Sequence, residues 1–219
     1  MEDFDGLRIA RERIATEAMR KMGSLDLSRL GLTELSAELF NLGHLRQLNL
    51  GSLWDEDGNW LGNEPGIDNS IEGQLGRIGD LSALEVLSIA GTDLQSLSPL
   101  SKLKKLFSIN CFATQMADLG PLKDLSQLQS LTCSSTQVAD LSPLQVLSQL
   151  QSLTCSYTQV ADLSPLQALS QLQSLTCSYT QVADLSPLKD LSQLRSLDCR
   201  NCRLARMFRE IWEKPSDEL

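Results

Sequence analysis

The chain has 219 residues, 42% of them apolar but only 5% aromatic, which suits a single elongated domain built on aliphatic side chains. Its formal net charge of -9 argues against nucleic acid or anionic membrane as the main partner, because neutralising phosphates needs an excess of clustered Lys and Arg. His44 is the one histidine, which removes most zinc sites and imidazole-activated nucleophiles; neither a GxxxxGK phosphate loop nor a GxGxxG after a strand occurs.

At the N-terminus, MEDFDGLRIARERIATEAMRKMG has no apolar signal core, and no segment of the chain is long and uncharged enough to span a bilayer. The expected location is therefore the cytoplasm. Phe4, Leu7, Ala10, Ile14 and Ala18 recur at spacings of three and four, which predicts an amphipathic helix over 3–20. Residues 1–18 of it are expected to cap the open edge of the first strand.

Met19, Met22, Leu25, Leu27, Leu30, Leu32, Leu35 and Leu39 set a first leucine-spaced unit, and Leu42, Leu45, Leu48 and Leu50 begin a second. The second unit takes 39 residues to reach Leu81. Its excess, around 51–70 (GSLWDEDGNWLGNEPGIDNS), reads as an exposed loop. Within it Asp55, Asp57, Gly58 and Glu64 overlap part of a DxDxDGxxxxxE calcium loop, but Leu53 stands where the first ligand belongs and no helix pair flanks it. An acidic solvated loop is the plainer reading. Trp54 and Trp60 either fold back onto the body or face a partner, exposed Trp being a favoured anchor.

From Leu81 onward the first leucines of successive units, Leu81, Leu103, Leu125, Leu147, Leu169 and Leu191, keep a constant step of 22 residues. The stretch LSQLQSLTCSYTQVADLSP at 147–165 recurs unchanged at 169–187, and at 125–143 with one Ser for Tyr. In one copy Leu147, Leu150, Leu153, Cys155, Thr158, Val160, Leu163 and Leu166 carry the frame. Leu153 and Cys155 alternate with Ser152, Thr154 and Ser156, a period of two that predicts a short strand with one face inward. Thr158 can satisfy backbone groups in the following turn, and the Ser-Pro-Leu at 164–166 breaks any regular α-helix, leaving a 3₁₀ or extended return. Burying about six apolar side chains yields roughly 10–15 kcal/mol gross, against about 1–2 kcal/mol for ordering each residue of the unit. No unit folds alone, and neighbours must share a core.

Cys111, Cys133, Cys155, Cys177 and Cys199 share one inward position of this frame, and Cys202 takes the inward Thr position. Strands about 4.8 Å apart are slightly too distant for relaxed disulfides along such a row, so a ladder of buried thiols is expected. Cys199 and Cys202 form a CxxC whose spacing follows from the repeat, and redox chemistry is the minor reading. The last stretch, NCRLARMFREIWEKPSDEL, puts Leu204, Met207 and Ile211 on the apolar frame and then stops without a polar capping unit. It reads as a piece of a longer protein, with repeats over 19–212, about eight units in all, then 213–219 as a truncated unit or linker; the alternative is a natural C-terminus with a short cap.

Strand positions facing solvent are Val86, Ser88 and Ala90, then Ser108, Asn110 and Phe112, then Ser-Thr-Ser three times, then Ser196, Asp198 and Arg200. Tyr157 and Tyr179 lie one repeat apart just after their strands; with Phe112 they form a candidate contact stripe, or the stacked rings are simply what adjacent identical copies produce. Three near-identical copies cannot each suit a different ligand group, so the middle reads as a spacer of fixed curvature with specific contacts at its ends. Those ends differ in charge: 51–80 holds seven acids against Arg77, whereas 195–209 holds Arg195, Arg200, Arg203, Arg206 and Arg209 against Asp198. Such an arginine cluster suits a carboxylate- or phosphate-bearing surface.

The unit LxxLxxLxCxxTxVxxLxPLxx resembles the leucine-rich repeat. That resemblance implies an α/β solenoid, right-handed, with a parallel sheet on its concave face, a 3₁₀ or irregular convex face and an N-terminal helical cap. The middle units look like the 22-residue class of phosphatase-regulatory and internalin-type proteins. The first unit, LDLSRLGLTELSAELFNL, and the last, LARMFREIW, look like the 23-residue class, with Ser36 and Phe208 where that class has proline. This mixture resembles the N-terminal repeats of bacterial Roco proteins, which precede a Ras-like GTPase domain and a dimerising COR domain. It implies a non-catalytic regulatory and protein-binding segment without a cofactor of its own, GTP and Mg belonging to the parent protein. Its partner would be a neighbouring domain or a second copy, and the candidate contacts are Trp54, Trp60, Phe112, Tyr157, Tyr179, Asp198, Arg200, Arg203 and Arg206. The alternatives are an internalin-like adhesin and a stand-alone, phosphatase-regulator-like binding protein.

Overall fold

A computed structural model describes residues 5–52 and 67–203. One α-helix, α1 (Gly6–Arg20), precedes eight strands of three residues each: β1 (Ser24–Asp26), β2 (Gln47–Asn49), β3 (Val86–Ser88), β4 (Ser108–Asn110), β5 (Ser130–Thr132), β6 (Ser152–Thr154), β7 (Ser174–Thr176) and β8 (Ser196–Asp198). They form one parallel sheet in chain order, so every connection returns to the strand beside the one it left. Pairing is in register throughout, with Leu131 opposite Leu153 and Leu153 opposite Leu175. A ladder this short holds because each coil donates further bonds beside it: Gln151 and Ser152 N–H to the Gln129 carbonyl, Cys155 N–H to Thr176, Tyr157 N–H to Ser178 and Gln159 N–H to Val138.

The return legs are short 3₁₀ turns such as Ser142–Val146 and Ser164–Ala168, each with proline in its first turn, as the Ser-Pro-Leu motif predicts. Their entry is set by a residue whose role the periodicity does not reveal. Asp140, Asp162 and Asp184 each accept, on Oδ1, the backbone N–H of the serine two residues on, at 2.8 Å. Inside, Leu147, Leu150, Leu153, Cys155, Val160, Leu163 and Leu166 are buried, and the same positions of neighbouring coils continue one unbroken core. The Thr reading also holds: Thr136, Thr158 and Thr180 are buried and donate to the carbonyls of Cys133, Cys155 and Cys177 at 2.6–2.7 Å.

Helix α1 starts where the Asp5 side chain accepts from Arg8 N–H, and ends with Lys21 in the left-handed conformation. It packs on the first coil so closely that a Cβ on Gly6 would lie 1.6 Å from the Leu30 carbonyl oxygen. Arg13 donates to the Asp26 carbonyl at 2.8 Å, covering part of the β1 edge. Ala10 and Ile14 face inward as expected, but Ala18 is exposed and Glu17 takes the buried place. The carboxylate is needed there: it accepts from Gly23 N–H at 2.7 Å and Met22 N–H at 3.3 Å, and lies 2.9 Å from His44 Nε2. Met19 and Met22 are consequently not core residues of the first unit. The helix runs to Arg20 and the chain reverses at Lys21 with the Met22 and Gly23 amides on Glu17, and both methionines face solvent at 79% and 59% exposure.

Of the 51–70 segment, residues 67–70 pack against the first coil. Ile67 bridges to Leu30, and Asn69 is buried, accepting Leu32 N–H and donating to the carbonyls of Leu27 and Leu50, all at 2.7–2.8 Å. Ile71, Leu75 and Ile78 then complete the second coil's core.

Candidate protein-binding site

The solvent side of the sheet is less available than alternation alone implies. In the repeated coils Thr132, Thr154, Ser134, Ser156 and Ser178 are buried rather than solvent-facing. Small side chains stacked in register shield one another, and the serines are also spent on structure: Ser134 Oγ accepts Ser156 N–H at 2.9 Å and Ser156 Oγ accepts Ser178 N–H at 3.1 Å. Where Asp or Asn stands in place of Thr, its own carboxylate or amide oxygen caps the amide two residues on instead. Asp26 does so for Ser28, Asn49 for Gly51, Asn110 for Phe112 and Asp198 for Arg200. The middle of the sheet thus offers a partner little beyond a smooth, self-satisfied surface.

The relief lies one residue further along each coil. Gly91, Ala113, Ser135, Tyr157, Tyr179 and Asn201 occupy successive coils at the same place, all with φ between 53° and 69°. This left-handed step turns the chain off the sheet while the amide still reaches the next coil, Tyr157 N–H to the Ser178 carbonyl and Tyr179 N–H to that of Arg200, both at 2.9 Å. Glycine and asparagine accept it readily, whereas a tyrosine there costs about 1 kcal/mol or more. Two consecutive tyrosines bear that cost and yet stay 57% and 49% exposed. Their rings stack with centroids 4.4 Å apart and planes 9° from parallel. Loss of hydration, then the neighbouring Tyr179 phenol, pushes the Tyr157 hydroxyl above its usual range, while Arg200 pulls it back.

Arg200 adjoins the stack and is held by Asp198 through Nη2–Oδ2 at 2.8 Å and Nε–Oδ1 at 3.0 Å. Ser178 Oγ donates to the same carboxylate at 2.6 Å. The Arg200 hydrogen bond, aided by Ser178 and opposed by partial burial, holds the Asp198 carboxyl down at about 2. The surface is therefore a flat aromatic step next to a charged pair fixed in orientation, suited to a side chain that can lie on a ring and bond at its edge.

Of the candidate contacts, the structure brings Tyr157, Tyr179, Asp198 and Arg200 together. Phe112 does not join them: it lies in the row of Ser134 and Ser156, one position before the tyrosine column and two coils away from Tyr157. Arg203 is exposed at the end of the described chain, and Trp54, Trp60 and Arg206 lie outside the described residues, as do Asp55, Asp57 and Glu64 of the calcium-like loop. Several charges counted as free contrast are used internally, Asp68 by Ser52 at 2.6 Å, Glu72 by Gln95 N–H at 2.8 Å and Asp80 by Arg77 at 3.0 Å. Among the described residues no group of three His, Cys, Asp or Glu is placed to hold a metal ion, and no helix is long and apolar enough to cross a membrane. Asn201, exposed at the next step of the tyrosine column, belongs to the site and was hidden by the serine-rich frame.

A parallel sheet of in-register coils closed by short 3₁₀ returns defines a leucine-rich repeat solenoid. The family model described as leucine rich repeats (2 copies) matches residues 148–190. No curated protein sequence matches the chain. Among solved structures it is similar to an internalin C2 of Listeria monocytogenes, with 25% identity and a TM-score of 0.66 over 87% of this chain and 92% of that one. It is also similar to an internalin, inlF, of the same species, with 24% identity, a TM-score of 0.62 and 89% and 69% coverage. A leucine-rich repeat protein of Leptospira interrogans shares the fold at 17% identity and a TM-score of 0.59, over 87% and 58%. The chain has the leucine-rich repeat solenoid fold, and the repeat model matches its coils over 148–190.

Proposed function

We propose that this solenoid is a non-catalytic protein-recognition module, and that its anchor is the Tyr157–Tyr179 stack flanked by the Asp198–Arg200 pair. The single observation that carries the reading is the two adjacent tyrosines, strained in backbone and exposed in side chain, where the equivalent coil of near-identical sequence has Ser135. Nothing in the packing requires a ring at that step, and a flat exposed aromatic pair is what interfaces use as a hot spot. The mutually bonded serines and threonines of the middle coils fit a spacer that presents this patch. Partners are proteins, either a neighbouring domain, a second copy or a separate chain, and we assign this chain no cofactor.

Each reading of the parent protein has its own support. The 22-residue middle coils and the internalin neighbours favour an internalin-like protein, while the N-terminal helix and the first unit favour a cytoplasmic Roco-type GTPase, to which GTP and Mg would belong. Sequence beyond Leu219 separates them: a GxxxxGK[ST] motif supports the second and a wall-binding tail the first. The binding site is tested by Tyr157→Ser with Tyr179→Ser, a change already tolerated at Ser135. Cross-linking mass spectrometry in the source cell should lose its protein adducts near residues 157–200 in the double variant. Unchanged adducts at unchanged folding would refute the site.

A further inference from the structure

Cys202 stands where earlier coils have Thr136, Thr158 and Thr180, and it does not do what they do. Each threonine bonds the carbonyl three residues back in its own coil. Cys202 Sγ instead leans onto the preceding coil, donating to the Cys177 carbonyl at 2.9 Å and lying 3.2 Å from Thr180 Oγ1. The Cys202 sulfur thus sits against Cys177 of the preceding coil. The ladder thiols Cys111, Cys133, Cys155 and Cys177 are buried, while Cys199 and Cys202 are both partly open to solvent. Of these two partly open cysteines, Cys202 is the one that leans onto the neighbouring coil, where the cysteine beside it is sheltered.

We propose that Cys202 and Cys177 form an oxidation site, in which a peroxide converts the pair to a disulfide that ties the last two described coils together. Cys202 thiolate attacks one peroxide oxygen, giving a sulfenic acid and hydroxide. Cys177 sulfur then attacks the Cys202 sulfur; its proton leaves with the sulfenic hydroxyl as water, and the hydroxide takes up the proton that Cys202 first released. Two thiols and one hydrogen peroxide become one disulfide and two waters. The pairing of roles matches the electrostatics. The hydrogen bond from Cys177 outweighs partial burial and holds the Cys202 thiol down at about 6, whereas Cys177 is pushed far up, first by that same bond and then by burial. Nucleophile and resolving thiol are thereby distinguished. The consecutive CxxC pair is not the reactive one, because Cys199 continues the inward ladder while Cys202 turns toward Cys177.

The test treats residues 1–219 with iodoacetamide at neutral pH and, separately, with hydrogen peroxide, mapping products by peptide mass spectrometry. Cys202 should alkylate first, about ten-fold faster than any other cysteine. Peroxide should yield a Cys177–Cys202 crosslinked peptide lighter by two hydrogens, persisting in Cys199→Ala and absent from Cys202→Thr. The threonine variant restores the residue the repeat itself uses, so its folding, checked by circular dichroism, is not at risk. A Cys199–Cys202 bond, an intermolecular bond, or Cys202 reacting no faster than the ladder cysteines would each overturn the proposal.

Discussion

The coils carrying β5, β6 and β7 and the coils carrying β1 and β2 build the same sheet by different means. In the first group each bond is repeated once per coil: Thr to the Cys carbonyl, Asp to the Ser amide, Ser to the next Ser. In the second group single side chains do several jobs at long range. Asn69 joins Leu27, Leu32 and Leu50, and Glu17 joins Met22, Gly23 and His44. Periodic coils distribute their polar satisfaction, so losing one member is shared. Irregular coils concentrate it, so losing one residue orphans several buried groups together.

That contrast orders the expected effects of mutation. Asn69→Ala should be the most damaging: it leaves one buried amide and two carbonyls without their partner, for a loss of about 3 kcal/mol in urea unfolding. A loss under about 1 kcal/mol would show that water replaces the amide, and the contrast would fail. Thr158→Val keeps the shape of its buried side chain and removes one bond to the Cys155 carbonyl, so it should cost about 1 kcal/mol. The equivalent change at Thr136 should match it.

The smallest effect is acid sensitivity in the repeated caps. Asp140, Asp162 and Asp184 have carboxyls held below their usual range, first by the Ser142, Ser164 and Ser186 hydrogen bonds respectively. A lowered folded value means that their contribution is complete above the unfolded carboxyl value of about 3.9 and is lost as pH falls through the folded value. The melting temperature should therefore decline below about pH 4. The triple variant Asp140→Asn, Asp162→Asn, Asp184→Asn keeps the caps' acceptors but not their titration, and should flatten that decline. An identical acid profile would show that the caps contribute nothing to it.

The same division explains what the sequence discloses. Strands, 3₁₀ returns, inward cysteines and the Thr bond are legible in the middle because each recurs at a fixed step, so a local rule confirmed in one coil is confirmed in all. The burial of Glu17 and Asn69 is not legible, because their partners lie up to 42 residues away and nothing periodic marks them. Alternation turns Ser156 and Thr154 toward solvent, yet both are buried for a related reason: exposure depends on the size of the neighbours in adjacent coils. Within the site, Tyr157 and Tyr179 are visible as the departures from a serine, whereas their strained conformation and the grip of Asp198 on Arg200 emerge only in three dimensions.

The central claim is that the middle coils are interchangeable units of one stacked core, and deleting residues 147–168 tests it most directly. Ser130, Ser152 and Ser174 pair in sequence at a step of 22, so the deletion rejoins the chain in the same register. The account predicts a cooperatively folding protein with an unchanged circular dichroism shape and a scattering length shortened by about 4.8 Å, the spacing of one strand. A deleted chain that fails to fold, or folds without shortening, would contradict it.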